Sequence, residues 1–196
     1  MPKNILLFCN GLSGTGKTTF IERYAKPNGF YNLISATTRK MRENEVDGVS
    51  YFFRDEQYFD REKFATHLWV NQAFWKPGDA KWLYGIPEFE INDNLGRDLI
   101  YDVIQPRYTR ELMDWFISHK LDTEYDFRVA WFTTSVDNFQ TAAERAVMQN
   151  DMAVRRANTC NTGDFKNANV KIDYITRPRD EMPSIKLIKM VEQRHR

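Results

Sequence analysis

An apolar run that leads directly into a glycine-rich loop is the feature that most constrains the fold of this chain. Residues 5–9 read Ile-Leu-Leu-Phe-Cys, which is typical of a central strand buried on both faces. The loop from Gly11 to Thr18 reads Gly-Leu-Ser-Gly-Thr-Gly-Lys-Thr and fits the pattern G-x-x-x-x-G-K-[ST]. A helix is expected over residues 18–25, so the pattern has a strand before it and a helix after it, as a phosphate-binding loop requires.

The residues of this loop predict binding of ATP with Mg²⁺. Glycines let successive backbone N–H groups converge on phosphate oxygens, and the helix that begins near Gly16 directs the positive end of its dipole toward them. Lys17 is expected to bridge the β- and γ-phosphates, and the Thr18 hydroxyl to bind Mg²⁺, which prefers oxygen ligands. The residues expected to bind ATP are Gly11, Ser13, Gly14, Thr15, Gly16, Lys17, Thr18 and Thr19. The alternatives are an incidental glycine-rich turn and a loop retained without catalysis.

Strands and helices are expected to alternate along the rest of the chain. Strands are expected at residues 32–35, 49–53, 99–104, 127–132 and 170–175. Helices are expected from Asp55 to about His67, from about Thr109 to Lys120, from Ser135 past Arg145, and from Pro183 through Gln193. Between Leu68 and Tyr84, where three tryptophans lie, two extended pieces joined by a turn are expected. This order predicts an α/β fold with a central parallel sheet flanked by helices.

The composition argues against a polyanion or a membrane as the partner. Lys plus Arg number 28 and Asp plus Glu 27, so no overall charge draws the chain toward nucleic acid or an anionic bilayer. No apolar stretch approaches the roughly 20 residues that cross a bilayer, and the run at residues 5–9 is too short for a signal peptide. Cys9 and Cys160 lack metal-ligand spacing and are expected to be free thiols. We therefore expect a cytoplasmic protein that acts on small molecules, and the oligomeric state stays open.

A second group of polar residues predicts another phosphate site. Residues 35–42 read Ser-Ala-Thr-Thr-Arg-Lys-Met-Arg, and Glu45, Gly48 and Tyr51 follow. Arg39 and Arg42 offer planar forks for a phosphate monoester, and Tyr51 can add a hydroxyl donor. A solvated basic turn would explain the charges, but neither the two threonines nor the tyrosine.

The order of these residues resembles the acceptor-binding segment of guanylate kinases, S-x-T-T-R-x-x-R-x-x-E-x-x-G-x-x-Y. Together with the phosphate loop upstream, it makes the chain similar to that family of nucleoside monophosphate kinases. The resemblance is close over the first fifty or so residues and weaker to about residue 180. It implies a P-loop fold with a core at 1–34 and 95–196 that binds ATP, an inserted lobe at about 35–94 that binds the acceptor, and a helical lid at about 141–166.

The resemblance also assigns residues beyond the first fifty. Tyr84 begins a Tyr-Gly pair like one in the family, and Asp102 lies in an Asp-Val-x-Gln segment, where it either orients Mg²⁺-bound water, contacts the acceptor, or only caps a turn. The lid of the family carries one arginine, a second four residues later, and then an Arg-Arg pair that stabilise the transferring phosphoryl group. This chain offers Arg145, Arg155 and Arg156, with Gln149 in place of the second arginine. A solvated basic helix face is the alternative.

Recognition of the acceptor base is where the chain departs from the family. Guanylate kinases present a serine, which is Ser35 here, a glutamate in the next lobe strand, and a serine or threonine after Tyr-Gly. The glutamate position falls within residues 67–72, which contain no acid, and Asn71 is our candidate for it. A carboxylate accepts from two donors of guanine, whereas an asparagine offers one neutral acceptor oxygen. We therefore expect guanine to be held less selectively.

Taken together, the resemblance implies ATP-dependent phosphoryl transfer to a nucleoside monophosphate, most simply a (d)GMP-like acceptor. The expected catalytic residues are Lys17, Arg39, Arg145, Arg155 and Arg156. The expected acceptor-binding residues are Ser35, Arg39, Arg42, Tyr51, Asn71, Tyr84 and Asp102. The alternatives are a kinase of a non-nucleotide phosphate such as ribose bisphosphate, and a catalytically silent module that binds a phosphorylated partner.

Overall fold

The structure, a computed structural model, divides into two compact units. It describes residues 2–11, 15–71, 81–103, 106–132, 169–176 and 185–194, with backbone alone for 67–71 and 81. One unit is formed by Met1–Asn32 and Gly96–Arg196, and the other by Leu33–Leu95. The helix expected from Ser135, the expected lid and Cys160 lie outside the described residues. None of the helices in the described ranges is long and apolar enough to span a membrane.

Strands and helices alternate along the described chain. In chain order they are β1 Asn4–Gly11, α1 Lys17–Phe20, β2 Tyr31–Asn32, β3 Ala36–Thr37, β4 Phe52–Phe53, α2 Glu56–Arg61, β5 Phe64–Asn71, β6 Lys81–Pro87, α3 Glu88–Asn92, β7 Leu99–Val103, α4 Pro106–Ser118, β8 Tyr125–Phe132, β9 Tyr174–Thr176 and α5 Ile185–Glu192. After α1 the chain continues as a π-helical turn, Ile21–Ala25, and a 3₁₀ turn, Lys26–Asn28.

The first unit is built on a five-stranded sheet in the order β2-β7-β1-β8-β9. All of its pairings are parallel, and β1 lies in the middle between β7 and β8. Leu6, Leu7 and Phe8 of β1 are fully buried, because helices cover both faces of a parallel sheet. Phe20 and Leu187 belong to the core cluster on the face of Leu7. The predicted α/β class, central parallel sheet and buried first strand are confirmed.

The second unit is a four-stranded sheet in the order β4-β3-β6-β5. Strand β6 pairs antiparallel with both β3 and β5, and β3 pairs parallel with β4. Phe59 of α2 packs with Ala36 and Leu83 in a small core on this sheet. The two extended pieces expected between Leu68 and Tyr84 correspond to the end of β5 and the start of β6, and residues 72–80, where the turn is expected, lie outside the described ranges.

The helix predicted from Asp55 to about His67 is confirmed at its start and wrong at its end. The carboxylate of Asp55 caps α2 by accepting from the backbone N–H of Tyr58. However, the chain turns to an extended conformation at Glu62, and β5 begins at Phe64. The ring of Phe64 stacks on that of Phe59 with centroids 4.6 Å apart. An aromatic residue five positions on therefore joins the same core from a strand, and not from another turn of helix.

Several other predicted boundaries are also wrong. Residues 33–35 lie outside any strand, because β2 ends in one unit and β3 begins in the other. The expected strands at 49–53 and 170–175 are shorter or shifted, since they form β4 and β9. Helix α4 begins at Pro106 and not near Thr109, because the fixed φ of proline suits the first helical position. Helix α3 was not expected at all; its Glu90 is buried and accepts from the backbone N–H of Ile34.

Candidate functional site

Gly11 and Gly16 lie at the two ends of the segment between β1 and α1, and both have backbone conformations that disfavour a side chain. Gly11, the last residue of β1, has a φ of 145°, and a Cβ on it would lie 2.3 Å from the carbonyl oxygen of Phe132. Gly16 caps α1 with a φ of 93°, in the left-handed region that favours glycine. The first and last glycines of the motif therefore let the loop leave the sheet and enter the helix. Ser13 and Gly14 lie outside the described residues.

The side chain of Lys17 lies against this loop. It is 6% exposed, and its Nζ donates to the carbonyl oxygen of Gly11 at 2.9 Å. The same Nζ is 3.6 Å from Oδ1 of Asp102, whose side chain is 34% exposed on β7. Lysine and aspartate thus hold one positive and one negative charge at the carboxyl ends of β1 and β7, where ligands of open α/β sheets bind.

Cys9 neighbours Asp102 across strands β1 and β7 and is unreactive. It is a free thiol, as predicted, and it is fully buried beside Asp102 in the register of β1 and β7. Burial, and then the negative charge of Asp102, raise the pKa of the Cys9 thiol, against an opposing effect of Lys17. The raised pKa keeps Cys9 protonated. Because only the thiolate is a good nucleophile, Cys9 is unreactive and packs as an apolar side chain.

The three threonines of the loop have different surroundings. Thr15 is buried, whereas Thr18 and Thr19 are exposed on α1. The exposed hydroxyl of Thr18 and the partly exposed carboxylate of Asp102 are oxygen donors carried by the same unit. Hard oxygen donors are what Mg²⁺ binds, so the side chains at this end of the sheet fit that ion.

In the second unit, Arg39 is held in a nearly closed environment. Its side chain is 6% exposed, and it forms a two-point ion pair with Glu45, Nη2 to Oε1 at 2.6 Å and Nη1 to Oε2 at 3.0 Å. The guanidinium carbon lies 5.3 Å from the ring centroid of Tyr51 and 5.6 Å from that of Phe53. Arginine over aromatic rings with a bidentate carboxylate is a fixed arrangement, unlike a solvated basic turn.

The carboxylate of Glu45 joins both arginines of the segment. Besides Arg39, it accepts from the backbone N–H of Arg42 at 2.8 Å. Burial alone raises the pKa of Glu45, but its hydrogen bonds with Arg39 and with that N–H lower it more, so the net pKa lies below the ordinary value. Because the pKa is lowered, the ion pair is intact at neutral pH and is lost only as the pH falls through that value.

The two threonines of the segment fix the backbone around Arg39. The hydroxyl of Thr37 accepts from the N–H of Arg39 at 3.1 Å, and that of Thr38 from the N–H of Leu83 at 2.8 Å. Tyr84 follows Leu83 on β6, and its ring centroid lies 5.9 Å from that of Tyr51. The unit therefore brings Arg39, Tyr51 and Tyr84 together.

The other predicted acceptor-binding and lid residues have fewer described contacts than Arg39, Tyr51 and Tyr84. Ser35 is buried, and its carbonyl oxygen accepts from the N–H of Phe52. The side chain of Arg42 is exposed, and Asn71 pairs with Lys81 in the register of β5 and β6. The expected lid residues Arg145, Arg155 and Arg156 lie outside the described residues. Glu45 and Phe53 are candidate functional residues that the sequence alone does not reveal, although Glu45 belongs to the motif and its spacing from Arg39 was the available signal.

Curated relatives match about half of this chain. The guanylate kinase of Carboxydothermus hydrogenoformans is 37% identical over 108 residues, which cover 53% of this chain and 50% of the relative. The guanylate kinase of Clostridium tetani is 32% identical over 106 residues, which cover 53% and 48%. The chain thus spans about half the length of the curated relatives it matches. No protein-family model matches it.

The fold similarity extends over nearly the whole chain. The crystal structure of guanylate kinase from Anaplasma phagocytophilum superposes with a TM-score of 0.56, covering 97% of this chain and 84% of that one, at 18% identity. At that identity the match is evidence of a similar fold only. Sequence over about half of the chain and fold over nearly all of it therefore confirm its resemblance to the guanylate kinases.

Proposed function

We propose that the chain transfers the γ-phosphoryl group of ATP to the phosphate of a nucleoside monophosphate, giving ADP and a nucleoside diphosphate. One observation carries the proposal: a single chain has a phosphate loop with Lys17 in one unit and a buried arginine fork at Arg39 in the other. A protein that only hydrolysed ATP would not need the second arrangement. A (d)GMP-like acceptor is the simplest, because the curated relatives are named guanylate kinases.

The proposed roles follow from charge and position. Lys17 and the loop amides hold the ATP phosphates, and Arg39, Arg42 and Tyr51 hold the acceptor phosphate. For Arg145, Arg155 and Arg156, which lie outside the described residues, contact with the transferring phosphoryl group is proposed from the family resemblance alone. Thr18 and Asp102 would hold Mg²⁺, which neutralises charge on the phosphates when it is bound. An acid or base is not required, because the acceptor oxygen is already anionic near neutral pH.

Release of ADP across a panel of acceptors tests this function. The panel contains ribo- and deoxynucleoside monophosphates, ribose bisphosphate and a blank without acceptor. We expect ADP release that depends on a nucleoside monophosphate. Release with ribose bisphosphate alone would identify a sugar phosphate kinase, and binding of ATP without release would identify a silent module.

The guanidinium shape of Arg39 is expected to matter beyond its charge. Lysine at this position keeps the charge but offers a point donor in place of a planar fork, so Arg39→Lys should raise the KM for the acceptor by about ten- to a hundredfold. The KM for ATP should stay within about twofold. Arg54→Lys is the matched control, because Arg54 pairs with the exposed Asp47 in the same unit. An equal rise for ATP would remove Arg39 from the acceptor site.

The preference for guanine is expected to be small. A site that pairs buried polar groups discriminates by roughly four orders of magnitude, whereas one that lacks them manages about ten- to a hundredfold. Since residues 67–72 contain no acid, we expect kcat/KM for GMP to exceed that for AMP, CMP and TMP by no more than about a hundredfold. The alternative outcome within this prediction is that a modified base is preferred. A ratio of several thousand in favour of GMP would refute it.

A further inference from the structure

The hydrogen bonds of Arg39 use one edge of its guanidinium and leave the two N–H groups of another edge without an acceptor among the described residues. Both hydrogens of Nη1 are committed, one to Oε2 of Glu45 and one to the carbonyl oxygen of Lys40 at 2.8 Å. One hydrogen of Nη2 goes to Oε1 of Glu45. The Nε–H and the second Nη2 hydrogen remain, and they lie side by side on the same edge. No acceptor for these two donors occurs in the part of the chain that the structure describes.

We propose that Glu45 is a positioning residue, which fixes the guanidinium of Arg39 so that its Nε–Nη2 edge receives the acceptor phosphate. The proposal rests on the proposed function. Two parallel N–H donors match two oxygens of a phosphate, so this edge can bind it at two points while Glu45 keeps the Nη1–Nη2 edge. Carboxylate and phosphate then lie on different edges of one cation and do not exclude each other.

The surroundings of Glu45 suit such a role. Its own side chain is 16% exposed, so both partners of the pair are largely removed from water. Because Glu45 also accepts from the backbone N–H of Arg42, the carboxylate is tied to the chain and cannot follow a moving guanidinium. Tyr51 and Phe53 hold the guanidinium through their rings. An arginine fixed in this way loses little freedom when the acceptor binds, which is what strengthens binding.

A competing role for Glu45 predicts the opposite change in acceptor affinity when the carboxylate is removed. If the carboxylate blocked Arg39 from the acceptor, its removal would free two donors and delete a nearby negative charge, so acceptor binding would tighten. If it positions Arg39, its removal lets the guanidinium rotate, and acceptor binding weakens. The sign of the change therefore separates the two roles.

The test compares Glu45→Gln with Glu43→Gln. Glutamine keeps the shape of the side chain, but it loses the charge and turns an N–H group toward the donors of Arg39. Glu43 is exposed on the same loop and forms no ion pair among the described residues, so it controls for the loss of one charge. Steady-state kinetics with ATP and GMP, and calorimetric titration with GMP, are measured for both variants and for the wild type.

For Glu45→Gln we expect the KM and the Kd for GMP to rise about ten- to a hundredfold, with kcat and the KM for ATP within about threefold of wild type. In an Arg39→Lys background, Glu45→Gln should raise the KM for GMP by less than about a further threefold, because Glu45 acts through Arg39. Glu43→Gln should behave as wild type.

Three results would overturn the inference. They are an unchanged or lower KM for GMP, an equal effect of Glu43→Gln, and a full additional loss in the Arg39→Lys background. A thermal melt of each variant adds a fourth such result, since a midpoint that falls while the KM values for GMP and ATP rise together would show a structural role. If the wild type used no nucleoside monophosphate, the proposed function would fail first, and the inference with it.

Discussion

We expect Lys17→Ala to lower turnover with ATP and a confirmed acceptor by at least about a hundredfold, while the fold persists. The side chain is nearly buried against the loop, with its ammonium 2.9 Å from the Gly11 carbonyl oxygen and 3.6 Å from Asp102. Its charge is therefore available at the end of the sheet where the transferring phosphate would lie. Alanine leaves no positive charge there, and the chemistry of phosphoryl transfer depends on charge neutralisation.

Lys26→Ala is the matched control for this prediction. Lys26 follows in the same helical segment, but it is exposed and pairs with Glu22 four residues earlier. Turnover is measured by coupled ADP release, and far-ultraviolet circular dichroism checks the fold. Near-wild-type turnover of Lys17→Ala would show that the phosphate loop does not carry the catalysis.

The second large effect concerns stability, through Asp98. Its side chain is 2% exposed; Oδ1 accepts from the backbone N–H of Ile5 at 2.7 Å, and Oδ2 accepts from Nε of Arg194 at 2.8 Å. Arg194 also donates to the carbonyl oxygen of Lys3. Removing the carboxylate leaves the N–H of Ile5 without this acceptor and Arg194, which is 19% exposed, without its counter-charge, so Asp98→Ala should lower the free energy of unfolding by about 3 kcal/mol.

Asp126→Ala serves as the comparison for Asp98→Ala. Asp126 pairs with Arg128 on the same sheet, but both side chains are about two-fifths exposed, at 43% and 39%. An exposed pair contributes about 0–1 kcal/mol, so the two variants should differ clearly in urea unfolding. Equal losses of stability would mean that the ion pair of the buried Asp98 stabilises the fold no more than an exposed pair does.

The phosphate loop could be predicted because its signal is local. An apolar strand, two glycines with left-handed or otherwise restricted conformations, and a helix starting at Lys17 all lie within one short segment. Strand β7 could be predicted for the same reason, because Leu99, Ile100 and Val103 are apolar and lie within one short segment. The acceptor segment was found through its spacing, and the structure adds why Thr37 and Thr38 are there, since their hydroxyls fix backbone N–H groups.

Features that depend on distant partners could not be predicted. Phe64 fits the apolar spacing of a helix as well as the start of a strand, and only its pairing with Pro87 and its stacking on Phe59 decide for the strand. Asp98 gave no signal, because its partner Arg194 lies far along the chain. The role of Glu45 needs the positions of individual nitrogen atoms, which spacing does not specify.

The middle position of β1 has a consequence for synthesis of the protein on the ribosome. Among the described strands of this sheet β1 is synthesised before the others, yet Leu6 pairs with Leu99 on one side and with Phe127 on the other. At about 5–20 residues per second, its first partner is made roughly 5–20 s later, and the second later still. During that interval the run from Ile5 to Cys9 has neither partner strand, and unpaired apolar strands are prone to aggregate. The yield of soluble protein should therefore depend on translation speed and on chaperones that bind apolar segments of the emerging chain.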